Sequence, residues 1–377
     1  MGIACLGCVL VSGCPSRTEA HTPIVLGLIA YQGIPFGSTT GSATVQAAQL
    51  AADEVNRAGG LLLRDGTRRH IKLAIEQCAP TPEAALASAY RLINQEDVAA
   101  IVGPHWSREA LPVADVAERS HIPLIATGST HPKLTEGRKY IFRIPFTDAL
   151  QGQVLATFAR TDLDARRGAV LYDASDPYMT NLTVIFARVF EENGGRMVAT
   201  ETYTPDAHTD FTAQLRRIAR QKPDVLLLPN LTEDAVLQAR QARKLGLTAT
   251  LLGSDMWNTD AITQDLDGSF FTKPERFQPD RFAALDAAFE RNFKSKPGTE
   301  AVETYDAFGL LFAAIRFTGE ANPESIRRGL YDMGPYPGVT GPIDYTTDGS
   351  PARNLTVLEV RDVQAVPRRT LPEGTRP

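Results

Sequence analysis

The chain has 377 residues, 43% of them hydrophobic and 22% charged, with a formal net charge of −5. That length fits two domains better than one core, and the composition is that of an ordinary folded protein. The acidic balance provides no basic field for holding nucleic acid.

The first feature in chain order is a short apolar run ending in Leu10-Val11-Ser12-Gly13-Cys14. Small residues before a cysteine at the end of such a run form the pattern of a bacterial lipoprotein signal. On this pattern, residues 1–13 are the cleaved signal and Cys14 is the lipid-bearing first residue. Residues 14–23 then form a tether, and the domain beyond is held at a membrane surface outside the cytoplasm. An ordinary secretory signal is the plainer alternative. Beyond Cys14 no apolar run approaches the roughly 20 residues of a membrane span. Only Cys78 falls within the folded part, so no internal disulfide is expected.

The body alternates β-branched runs with helical periodicity. Residues 24–30 read as a strand, and 45–58 as an amphipathic helix stopped by Gly59-Gly60. Strands at 71–76, 99–102 and 123–125 alternate with helices at 82–94 and 107–119. The pattern restarts with helices at 148–160, 179–193, 211–221 and 233–245, and strands at 169–172, 197–202, 225–228 and 250–252. This βα alternation predicts two α/β lobes with parallel central sheets. Helices at 279–293, 300–318 and 323–333 follow. A hairpin-like finish is expected from 339–345 and 355–361, and the Pro- and Arg-rich tail at 363–377 reads as loose.

Candidate functional residues cluster where strands end. Gly103-Pro104-His105-Trp106-Ser107 follows a strand and opens a helix, with Ser107 suited to the N-cap. A helix start of this kind attracts a carboxylate or phosphate. The next strand ends in Ala126-Thr127-Gly128-Ser129-Thr130, and adjacent strand ends are where open α/β sheets bind ligands. His105 and His131 flank the site, but six histidines with no tight His/Cys pair argue against zinc. No cofactor motif is present.

With these segments in view, the chain resembles the type I periplasmic binding proteins, in the branched-chain amino-acid-binding (Leu/Ile/Val) branch that serves ABC transporters. The resemblance rests on segments in family order. They are residues 51–60 (AADEVNRAGG), 101–104 (IVGP), 122–125 (IPLI), 239–247 (ARQARKLGL), 304–307 (TYDA) and 338–342 (GVTGP). It implies two Rossmann-like lobes joined by a three-crossing hinge that closes on a small ligand. The lobes would be 24–147 with 274–350 and 148–273 with 351–362.

The resemblance also implies roles. Ser107 matches the serine that holds the ligand carboxylate, and Gly128 and Thr130 match carbonyl and hydroxyl partners across the cleft. Asp255 matches the acid that pairs with the ligand ammonium, and Tyr178 the cleft tyrosine. A zwitterion needs such donors and such an acid. The side-chain pocket departs from the pattern. Leu231 and Glu300 stand where the family has aromatic residues, Trp106 and Trp257 add bulk, and the first cleft aromatic has no clear match, Thr40 and Phe36 lying nearby. A polar, cationic or aromatic ligand is therefore open alongside an aliphatic one. Cys78 matches half of a family disulfide whose partner position is Trp106. The function implied is a monomeric, non-enzymatic receptor that delivers an amino-acid-like ligand to an ABC permease. A lipid-anchored sensor for a signalling receptor is the main alternative. A hydrolase is a weaker one, since Ser107 lacks a Gly-X-Ser-X-Gly elbow.

Overall fold

A computed structural model describes residues 22–32, 40–204, 210–275, 277–345 and 348–372. Cys14 and Phe36 lie outside these residues. The first lobe begins with β1 (Ile24–Tyr31), α1 (Thr40–Arg57), a small ribbon of β2 (Leu61–Leu62) and β3 (Arg68–Arg69), then β4 (Ile71–Cys78), α2 (Pro82–Asn94), β5 (Ala100–Val102), α3 (Ser107–Arg119), β6 (Leu124–Ala126) and β7 (Ile141–Arg143). Its five-stranded sheet has the order β4-β1-β5-β6-β7 and is parallel at every pairing. Leu26 and Leu28 are fully buried, and so are the three residues of β5 and of β6, as both faces of a parallel sheet require.

The second lobe runs α4 (Asp148–Thr161), β8 (Arg167–Asp173), α5 (Pro177–Glu192), β9 (Arg196–Tyr203), α6 (Thr212–Arg220), β10 (Val225–Leu228), α7 (Thr232–Lys244), β11 (Thr250–Gly253) and β12 (Phe270–Pro274). The chain then returns to the first lobe with α8 (Pro279–Phe293), α9 (Thr299–Thr318) and α10 (Pro323–Asp332). Ala48 and Ala51 of α1 pack with Phe308, Leu311 and Ile315 of α9 in one core. Short strands β13 (Tyr336–Gly338) and β14 (Gly341–Ile343) precede a third passage to β15 (Asn354–Arg361) and β16 (Gln364–Pro372). The second sheet has seven strands in the order β16-β15-β12-β11-β10-β8-β9. No helix among the described residues is long and apolar enough to cross a membrane.

Two expectations about the end of the chain fail. Residues 341–343 pair with 336–338 rather than with 355–361, and the real terminal hairpin is β15 with β16. The segment read as a loose tail is thus an edge strand through residue 372. Asp362 and Val363, both at positive φ (52° and 61°), make its two-residue turn. Prolines are tolerated because the strand is at the sheet edge and bulged opposite Val357/Leu358. Leu371 is buried against Leu355, Val357, Phe146 and Phe158, which composition alone could not reveal.

Candidate functional site

On the first lobe, the carboxyl ends of β5 and β6 place two loops side by side. Gly103 sits at φ +84°, and a Cβ there would lie 2.4 Å from the Ile29 carbonyl oxygen. Only glycine lets the chain turn this tightly into α3. Ser107 does not cap the helix as expected. Trp106 is the N-cap, its side chain not capping the helix, and Ser107 is the first helical residue. Its hydroxyl is instead 2.9 Å from that of Ser129, and both residues are buried. The helix start therefore presents two hydroxyls beside backbone N–H groups, a combination suited to an anion.

Gly128 has a steric role. A Cβ there would come within 2.1 Å of the His105 ring. Thr130 is buried, and its carbonyl accepts the Asp148 N–H at 2.9 Å. Asp148 is fully buried and also accepts from Asn181 at 2.8 Å. Burial pushes its carboxyl up to about 7 against bonds from Thr130 and Asn181 that favour the anion. Arg143, absent from the sequence reading, braces these loops. Its buried guanidinium donates to the carbonyls of Ser129 (3.1 Å) and His131 (2.9 Å), and desolvation draws it down to about 10.

The second lobe supplies the acid. The Asp255 carboxylate accepts from the Tyr178 hydroxyl at 2.6 Å and from Gln151 Nε2 at 2.9 Å. Burial and then the Asp255 charge push the Tyr178 phenol well above its usual range, so it remains a donor. Lys273 donates to the Asp255 carbonyl at 2.5 Å. No helix begins at Met256, so Asp255 is not a cap. Gln151 and Lys273 were not foreseen. Both lie on elements whose buried face carries no recognisable motif.

Of the proposed pocket residues, Trp257 is a correction. It is fully buried in the core of the second lobe, its ring tilted against Phe271, with its indole N–H on the Leu228 carbonyl at 3.2 Å. It covers Gly253, where a Cβ would meet the indole at 2.3 Å. Leu231 is half-buried at the N-cap of α7. Trp106 packs beside Tyr31, ring centroids 4.9 Å apart, and belongs to the same apolar cluster as the unbridged, buried Cys78. Glu300 lies 3.6 Å from His105 Nε2. Glu303, which no sequence motif marks, has its carboxylate 3.8 Å from His105 Nδ1. Its i, i+3 spacing from Glu300 on a helix was the available signal.

The lobes meet around this cleft. Arg108 of α3 reaches Asp176, the N-cap of α5, at 3.1 Å. Burial pushes Glu300 up to about 8 and Glu303 well above the carboxylate range. Burial holds His105 neutral, its imidazole drawn down to about 3.

Comparison with known proteins agrees with this fold. The sequence model of the family described as periplasmic binding protein matches residues 23–365. A Leu/Ile/Val-binding protein of Rhizobium johnstonii is 29% identical over 93% of this chain and 94% of its own. A leucine-, isoleucine-, valine-, threonine- and alanine-binding protein of Pseudomonas aeruginosa is 26% identical over 75% of each chain. Among solved structures, a leucine-binding protein from Thermotoga maritima superimposes with a TM-score of 0.81 at 24% identity, covering 93% of this chain and 99% of that one.

Proposed function

The chain belongs to the periplasmic binding protein family, and on that premise we propose that it is a lipid-anchored extracytoplasmic receptor. It captures an amino-acid-like ligand between its lobes and hands it to an ABC permease, without chemistry on the ligand. The observation that carries this reading is the division of the cleft. One wall offers the α3 start with the Ser107–Ser129 hydroxyls, and the other offers Asp255 held by Tyr178 and Gln151. Donors on one side and a fixed carboxylate on the other match the two ends of a zwitterion. Relatives named as amino-acid-binding proteins support the ligand class. The Cys14 pattern supports the anchor, and palmitate labelling lost in Cys14→Ser tests it.

Ligand recognition is tested by calorimetry after a thermal-shift screen of amino acids. Asp255→Asn weakens the ligand by about 2–5 kcal/mol, because a buried ammonium loses its counter-charge. Ser107→Ala costs about 1–3 kcal/mol, since the backbone donors remain. Equal affinity for Asp255→Asn and wild type would remove the amino-acid assignment.

A further inference from the structure

We propose that the floor of the cleft is a receptor for a second cationic group, which makes the ligand a basic amino acid of the lysine, ornithine or arginine kind. This rests on the reading above and names its substrate class. Glu300, Glu303 and Thr304 share one face of α9, spaced i, i+3 and i+4. Glu300, Thr304, His105, Tyr31 and Thr127 line a small pocket, and Glu303 stands against the His105 ring beside it. Glu303 is only 6% exposed, and its Oε2 has no hydrogen-bond partner. That atom faces the His105 ring at 3.8 Å, across from Glu300 on the other ring nitrogen at 3.6 Å. A buried carboxyl oxygen left unpartnered is costly unless something arrives to bond it.

The local charges favour a cation as that arrival. Even with His105 protonated, the trio of His105, Glu300 and Glu303 keeps a net negative charge when both acids are ionised. Lys273 and Arg353 ease the burial of Glu303 through space. The Lys273 ammonium is engaged with the Asp255 carbonyl, and the Arg353 guanidinium with the carbonyls of Ile144 and Thr340. Asp255 adds to the negative field felt by Glu303, which links this pocket to the acid assigned to the α-ammonium. An aliphatic side chain here would cover two carboxyls and bond neither. A guanidinium or ammonium would bond both, and its arrival would expel protons that burial keeps on Glu300 and Glu303.

The test is calorimetry on the purified chain with L-arginine, L-lysine, L-ornithine, L-norleucine, L-leucine and agmatine. Norleucine matches lysine without the terminal ammonium, and agmatine is arginine without its carboxylate. The expected result is that a basic amino acid binds about 100-fold or more tighter than norleucine. Titration in buffers of different ionisation enthalpy then shows proton release on binding. Glu303→Gln and Glu300→Gln each weaken the basic ligand about 10-fold or more and leave the circular dichroism spectrum unchanged. Tighter binding of leucine or norleucine overturns this inference and leaves the amino-acid reading standing. Basic binding untouched in both glutamine variants overturns the assigned pocket. Agmatine binding as tightly as arginine supports the cation pocket but removes the carboxylate role of the α3 start. Binding by none of the six overturns both.

Discussion

Burial sets the charge state of the acids around the cleft, and this gives a pH dependence with a definite sign. Asp148 and Glu300 are raised to about 7 and about 8 by desolvation. An acid whose folded pKa is raised binds its proton more tightly in the native state. Its contribution is full below the ordinary carboxylate range and is lost as pH rises through the folded value. The ligand-free protein is therefore expected to lose stability between about pH 6.5 and pH 8.5, above the range in which His105 and His131, drawn down to about 3 and about 4 by burial, act in the opposite sense. Glu324, held at about 2 chiefly by Arg327, acts only at lower pH and does not offset this slope. Glu300→Gln should stabilise the fold by several kcal/mol at pH 8.5 and by much less at pH 5, read from urea unfolding at each pH. A variant with the wild-type slope would mean that Glu300 is already ionised in the fold. The individual side chains were unevenly legible. Ser107, Thr130 and Asp255 were matched one residue at a time through the resemblance to a family. Trp257 and Glu303 were not, because a sequence does not say whether an aromatic turns to the core or an acid to the cleft.

At the scale of elements, the alternation of apolar runs with helical periodicity announced the α/β plan, and the strands and helices fall close to where that pattern puts them. Parallel strands buried on both faces are apolar throughout, so β5, β6 and β10 were easy to see. The edge strand β16 was hidden because its sequence, QAVPRRTLP, alternates poorly and carries two prolines. What holds it is long-range: the ladder to β15, the Arg369–Asp162 ion pair at 2.8 Å and the seat of Leu371. Leu371→Ala should cost about 2–3 kcal/mol in urea unfolding, as for a buried leucine with partial room to relax. The ion pair is partly exposed and contributes little. An effect within about 0.5 kcal/mol, the size expected of a free surface position, would return the segment to the loose tail that its composition suggests.

For the whole molecule, the question is how two lobes joined by three chain passages hold a ligand. Ligand shifts an open-to-closed equilibrium only by binding the closed form better, so contacts between lobes set the cost of closure. Arg108 to Asp176 is such a contact, at 3.1 Å, with Asp173 at 3.9 Å on the same guanidinium. The Arg108 side chain is 37% exposed, so solvent screens the pair and its worth is about 1 kcal/mol or less. Asp176 also caps α5 by accepting the Met179 N–H at 3.1 Å, so changing it would disturb a helix as well as the bridge. Arg108 is the cleaner side to remove. Arg108→Ala should leave the unfolding midpoint nearly unchanged and weaken ligand about 2–5-fold, mostly through faster release. Small-angle scattering should show a smaller radius of gyration for wild type with ligand than without. The variant should reach the same compact radius, but only at higher ligand concentration. If Arg108→Ala binds with wild-type affinity and release rate, the bridge forms without biasing closure, and the lobes are held shut by the ligand alone.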